Sequence, residues 1–317
     1  GKLALLYLFV AFFWSLWDQS NGNSWTVQAQ SALMDKHLFG FLGGVAGFEK
    51  LAAYEMLPSQ VQVVNGIFII LLVPVFTFGI YPLIGRFWTV TPLRKIGIGL
   101  FVTASSFLIV ASIEQRIQSG EMVSMWWQIA AYSVLTAGEV LVSITALEYS
   151  YKQAPLYMKS FIMSLFLLST SVGNAFTAAV NSLMIEPLQA TEISTGEQTW
   201  VGLANAADFV TGQKIDFAGD NGITVSDGGG KNGPLAGTFL VAEVDAGGSR
   251  VRLMDKVSRQ SVASSGRYVA NASEVSTYAL VGPVYFLFFA GLMGSVAVLF
   301  VFFAAWFKEQ TYVREDG

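Results

Sequence analysis

No cysteine occurs in the 317 residues, which excludes disulfides and thiolate metal sites and leaves the redox compartment unreadable. Histidine is nearly absent too. The one copy, His37, stands beside Asp35 and Lys36 and is read as a solvated loop residue. No Ser-His-Asp arrangement or metal-ligand cluster can be assembled around it. Charge is scarce as well: Asp, Glu, Lys and Arg make up 13% of the chain, against ~25% in soluble domains. A net charge of −4 is too small to argue for nucleic acid. Nucleotide fingerprints are missing. Gly97-x-Gly99 and Gly291-x-x-Gly294 follow no strand and are read as helix-packing glycines. An enzyme has nothing to stand on here, and no cofactor or metal is expected.

What is present is apolar. Hydrophobic residues reach 53%, and several runs attain the ~20 residues that cross a ~30 Å hydrocarbon core. The chain is therefore expected to be a polytopic membrane protein with the lipid bilayer as its surroundings. Its spans are read at about 3–33, 61–84, 96–113, 126–149, 160–185 and 278–307. The first is interrupted by D-Q-S-N-G-N-S at 18–24. Pro74 and Pro82 are expected to kink or end the second. Between these two spans, 38–57 is a candidate interfacial amphipathic helix. The apolar run starts at Leu3 with no recognisable signal peptide, an abrupt opening read as that of a chain lacking an N-terminal part.

Lys and Arg in the short loops set orientation. Arg86, Arg94, Lys95, Lys152, Lys159, Lys308 and Arg314 fall on one side, and Lys36, Lys50 and Arg116 on the other. The first side is expected to be cytoplasmic, with both termini and the tail 308–317. Residues 186–277 break the apolar pattern with Gly, Asp, Ser and Asn. They contain alternating segments at 238–244 and 250–254 joined by D-A-G-G-S, a hairpin signal, with further strands expected at 214–217, 223–225 and 268–270. This reads as a small β-rich domain outside the cytoplasm, serving as a spacer or as a binding module. Asn271-Ala-Ser273 inside it matches a glycosylation sequon, a frequent chance match.

Glu139 is the outstanding residue, because it lies half-way down the fourth apolar run. A carboxylate at mid-membrane costs roughly 2.5–3.5 kcal/mol, and such residues usually line a pathway or meet a cation. Thr136, Glu139 and Ser143 are placed on one helix face by their spacing. Desolvation favours the neutral acid and a nearby cation the carboxylate, which is the physics a proton-coupled switch needs. The bland alternative is a structural bond to a neighbouring helix. On the first span Trp14 and Asp18 stand at i, i+4, so a wall residue and a charged gate can face one cavity; Asp18 can equally end the helix core. On the fifth, Thr170, Asn174, Thr177 and Asn181 recur at helical spacing, which favours helix packing for the two asparagines. Asn65 can cap the second span or offer a hydrogen bond to a pore.

Four ordered motifs carry a family resemblance. They are F-F-W-S-L-W-D-Q-S-N-G-N-S-W-T-V-Q-A at 12–29, V-N-G-I-F-I-I-L-L-V-P-V-F at 64–76, L-R-K-I-G-I-G-L-F at 93–101 and G-E-V-L-V-S-I-T-A-L-E-Y-S-Y-K-Q-A-P-L-Y-M-K-S at 138–160. With S-V-G-N at 171–174, they resemble the proton-dependent oligopeptide transporters. The resemblance covers 1–185 and, less specifically, the last helix, but not the β-rich segment. It implies an all-α membrane protein with a major-facilitator fold, of which this chain is similar to the C-terminal six-helix bundle. Residues 1–185 would be family helices seven to eleven, 186–277 an inserted extracytoplasmic domain and 278–307 the last transmembrane helix.

The N-terminal six-helix bundle would be a missing partner. By the same resemblance, Glu139 meets the amino group of a di- or tripeptide and Asn65 also contacts the peptide. Trp14 is a cavity wall, Phe166 stands where many members have tryptophan, and Thr170 lines the pocket. Asp18 with Gln19 forms the extracellular gate. Protons would be the coupling ion. Another solute such as nitrate, or a membrane-anchored scaffold working through the β-rich part, are the alternative readings.

Overall fold

In hydrocarbon, every backbone N–H and C=O must find its partner within the protein, so apolar runs become helices. The computed structural model describes residues 2–21, 24–226, 232–269 and 273–307. It has six helical spans long and apolar enough to cross a membrane: Leu3–Gln30, Pro58–Gly85, Pro92–Gln118, Met125–Gln153, Lys159–Leu183 and Pro283–Trp306. The sequon's Asn271, the end of the 268–270 segment and the tail 308–317 lie outside the described residues.

The first span is made of two helices, Lys2–Ser20 and Ser24–Gln30. Carbonyls near the break are satisfied by the fourth span. The Tyr132 hydroxyl donates to Ser20 O at 2.5 Å and Gln128 Nε2 to Trp25 O at 2.7 Å. In the second span Pro74 does not end the helix. A proline removes one N–H and crowds the preceding turn, and here the chain answers by widening into a π turn, Val75–Ile80, before resuming at Tyr81–Gly85. The third span is longer than its apolar core, because Thr91 caps it through Arg94 N–H at 3.4 Å and Pro92 occupies the first helical position.

The third span packs on the fourth and sixth, and the first on the fifth. Gly99 and Gly138 are where the third and fourth approach: a Cβ on Gly99 would lie 2.6 Å from Val142 Cγ2 and 2.7 Å from Leu141 Cβ. Gly97 abuts the Phe300 ring. Gly291 and Gly294 do not follow this rule. A Cβ on either would meet no atom within 4 Å among the described residues, so neither packs against another helix of this chain, contrary to the expectation from their spacing. The segment 38–57 is not one amphipathic helix either. It makes two single turns, Gly40–Leu42 and Glu49–Ala52, because its four glycines favour turns over a helix and Gly47 takes φ +90°.

The chain is not all-α. A seven-stranded sheet runs in the order Ile185–Leu188, Ser273–Tyr278, Lys214–Gly219, Gly237–Val244, Arg250–Asp255, Trp200–Leu203, Ala190–Ser194, with every pair antiparallel. A second sheet joins Ala263–Gly266, Ile223–Ser226 and Asn232–Pro234. These strands enclose a core of their own around Val201, Ile215, Leu235, Val241, Val251 and Leu253. Ile185 and Tyr278 pair across the base of the larger sheet, although their apolar or aromatic character assigned both to helices. The fifth and sixth spans are thereby clamped together where the chain leaves and re-enters the bundle.

At that clamp the Tyr278 hydroxyl donates to Asp216 Oδ2 at 2.5 Å. Burial, and then the Asp216 carboxylate, push the phenol up to about 12. A raised pKa adds stability that is whole below the ordinary tyrosine value of about 10 and is lost as pH rises through the folded-state value. The sheet is therefore expected to lose stability between those two limits. Tyr278→Phe should flatten that alkaline loss, followed by circular dichroism alongside near-ultraviolet phenolate absorbance.

Candidate functional site

Glu139 ends the regular α-helical part of the fourth span, Met125–Glu139, and a π turn, Val140–Ile144, follows at once. Such turns recur at functional sites because they re-aim side chains. Two neutral donors from two other spans converge on one carboxylate oxygen. Trp17 Nε1 donates to Glu139 Oε2 at 2.9 Å, and Asn65 Nδ2 at 3.0 Å. Asn65 Nδ2 also reaches Thr136 Oγ1 at 3.0 Å, and Thr136 donates back to Tyr132 O at 2.7 Å. Glu139 is only 8% exposed, so these bonds form where water competes little. Nearby, the π turn of the second span meets that of the fourth through Phe76, Val140 and Leu141, which holds Asn65's helix against Glu139's. Ser143, on that π turn, is half-buried.

Trp17 is the residue that sequence reasoning missed. Its signal was available: Trp14, Trp17 and Asp18 stand at i, i+3 and i+4 and share a face. The Trp14 and Trp17 rings meet edge to face at 5.3 Å, and Trp14 meets Phe166 of the fifth span at 6.4 Å. A continuous aromatic wall thus runs from Phe166 through Trp14 to the Glu139 cluster. The Trp14 indole N–H is buried without an acceptor among the described residues. Thr170, one turn beyond Phe166, is half-buried and joins none of these hydrogen bonds. Asp18 is half-buried with the Asn174 side chain as its hydrogen-bond neighbour. Gln19 is fully buried; its Nε2 donates to Ser15 O at 3.1 Å and its Oε1 accepts from Ser24 Oγ at 3.4 Å. It braces the break between the two helices of the first span. Two other polar residues of the fifth span join helices: Thr177 bonds Ser15 at 2.6 Å, and Asn181 Oδ1 accepts from the Tyr285 hydroxyl at 3.2 Å.

Among the described residues no Lys, Arg or His comes within 4.0 Å of the Glu139 carboxylate. The arrangement can therefore receive a cation: a buried carboxylate, pre-oriented by two neutral donors and flanked by an aromatic wall.

The family model described as POT family matches residues 1–201. Peptide transporter PTR2 of Saccharomyces cerevisiae is 31% identical over 166 residues, which are 48% of this chain and 26% of that protein. Solute carrier family 15 member 1 of Mus musculus is 32% identical over 117 residues, 37% of this chain and 14% of its own length. The chain thus spans about a quarter or less of these relatives. Among solved structures, the POT family transporter PepTSo is 36% identical over 58% of this chain and 33% of its own, with a TM-score of 0.50. An auto inhibited POT family peptide transporter is similar in fold over 100% of this chain and 42% of its own, at 21% identity and a TM-score of 0.58.

Proposed function

This chain belongs to the POT family of transporters, and from that membership we propose that it takes part in proton-coupled symport of di- and tripeptides by alternating access. Its six helices are one bundle of a major-facilitator fold, and a second six-helix bundle completes the cavity. The site lies at the bundle interface near mid-membrane, as in transporters that rock around a central site. Glu139 pairs with the peptide amine, Asn65 and Trp17 hold the carboxylate in place, and Trp14 and Phe166 accept varied side chains. Thr170 lines the same pocket and Asp18 with Gln19 lies toward the outer gate. The short basic turns face the cytoplasm of a cell membrane, and the sheets stand outside it.

One observation carries this reading: a buried carboxylate with only neutral partners. Burying such a group without compensation is costly, and an ammonium from the cargo supplies the missing charge. A nitrate-like cargo would meet repulsion from Glu139 instead. Uptake into liposomes holding the full-length protein tests it. With an inward proton gradient a dipeptide should accumulate above its external concentration and stop doing so when a protonophore is added, while labelled nitrate should stay outside. Nitrate uptake without dipeptide uptake would assign another cargo. Uptake of neither would favour a scaffold acting through its sheets.

A further inference from the structure

Between the bundle and the larger sheet lies a cavity of about 520 Å³, away from Glu139. Its floor comes from the membrane helices and is mixed, with Val27, Ile117, Ala178 and Phe286 set among Ser24, Gln28, Ser31, Asn181 and Ser182. Its roof comes from the sheet and is basic. Lys214, Lys256 and Arg259 line it, against Glu114, the one carboxylate among its described lining residues. Gln28 Nε2 donates to Glu114 Oε2 at 2.8 Å, and Glu114 attracts Lys214 and Arg259 from beyond ion-pair distance. Asp216, close to Lys214, accepts from Tyr278 through Oδ2, while its Oδ1 is buried without a hydrogen-bond partner among the described residues. None of the three cations has an ion-pair partner within 4.0 Å among the described residues.

The cations are held in place. The Asp255 carboxylate accepts Val257 N–H at 2.9 Å, Ser258 N–H at 2.7 Å and the Ser258 hydroxyl at 3.0 Å, which closes the turn carrying Lys256 and Arg259. Val257 O in the same turn accepts Ala32 N–H at 3.0 Å, just past the first span. Arg259 has φ +56°, the one described non-glycine residue in the left-handed region. Residues persist there when their surroundings over-determine them, often at ligand clamps. Its Nε is buried without a hydrogen-bond partner among the described residues. On the opposite wall, Gly282 lets Gln118 of the third span pack directly against its backbone, so the sheet is seated on the bundle. Lys214 keeps solvent exposure where it lines the cavity, and the protein packed around it holds its ammonium below the ordinary lysine range, with Glu114 and then Asp216 opposing.

We propose that this cavity is a binding site for a phosphate-bearing anion, held by Lys214, Lys256 and Arg259 above a floor of mixed polarity. A guanidinium with a free N–H and two ammonium groups match the oxygens of a phosphate. The polar part of the floor suits a glycerol and the patch of Val27, Ile117, Ala178 and Phe286 the first acyl carbons of an anionic phospholipid, so the phosphate can arrive free or as a headgroup.

The test uses the full-length protein in neutral detergent, titrated with inorganic phosphate, short-chain phosphatidylglycerol and, as control, short-chain phosphatidylcholine. Calorimetry and thermal unfolding are read together. Saturable binding is expected, weakened about tenfold by Lys256→Gln and by Arg259→Gln, in line with the loss of one charge-assisted hydrogen bond. Lys50→Gln, outside the cavity, should change nothing. Saturation by phosphate identifies a free anion, and saturation by phosphatidylglycerol alone identifies a headgroup; either supports the site. Lys256 is exposed, so its variant folds and decides the matter even if Arg259→Gln does not. No saturable binding of either phosphate probe, or equal binding by parent and Lys256→Gln, overturns the proposal.

Discussion

In the Glu139→Gln variant, dipeptide uptake driven by an inward proton gradient should fall by about 100-fold or more, because a desolvated charge pair loses one of its charges. The substitution keeps the side-chain volume, so the Trp17 and Asn65 donors at 2.9 and 3.0 Å retain an oxygen to face. What disappears is the negative charge. A buried ion pair broken on one side costs about 3–5 kcal/mol, and each 1.4 kcal/mol is a factor of ten. Stability should move the other way. A neutral amide removes the cost of keeping a carboxylate at 8% exposure, so the variant should unfold no earlier than its parent. Loss of uptake with an unchanged or raised unfolding midpoint separates a binding role from a structural one. Uptake at the parental rate would remove Glu139 from the site.

Parts of this architecture were legible in the sequence, and the reason is physical. A lipid-facing helix must be apolar over its whole crossing, so the six spans stand out wherever charge disappears. Glu139 was legible for the converse reason, as a costly exception within such a run. The hairpin of Gly237–Val244 with Arg250–Asp255 was visible because strand alternation and a Gly-Gly turn coincide.

Features that depend on contact between distant segments were not legible. Trp17 becomes a ligand of Glu139 only because the first and fourth spans pack at that height, 122 residues apart. The π turns after Pro74 and Glu139 leave the apolar pattern intact, so nothing in the order of residues marks them. Ile185 and Tyr278 look like helix ends, yet pair as strands, because local composition does not separate a membrane boundary from a sheet boundary. Gly291 and Gly294 resemble packing glycines by spacing alone, and only the neighbouring helices decide whether such a face is covered.

That last distinction has a measurable consequence at Gly173, where the first and fifth spans touch. A Cβ there would run into Ala11 O and lie 2.9 Å from Ser15 N and 3.0 Å from Trp14 Cβ, all on the first span. Two of those atoms are backbone, so no rotamer change relieves the clash and the helices must separate. Separation would break the bond between Ser15 and Thr177 at 2.6 Å and the one from Thr177 Oγ1 to Ser15 O at 3.0 Å. Overpacking of this kind costs about 1–3 kcal/mol and sometimes more. Gly173→Ala should therefore lower the unfolding midpoint. It should also weaken peptide uptake, because Trp14 sits on the displaced turn and its ring contacts both Trp17 and Phe166. Gly291→Ala is the matched control in the sixth span. Its Cβ meets open space, and alanine is the better helix former by up to ~1 kcal/mol, so neither midpoint nor uptake should fall. Equal losses in the two variants would show that the first and fifth spans do not depend on Gly173 for their close approach.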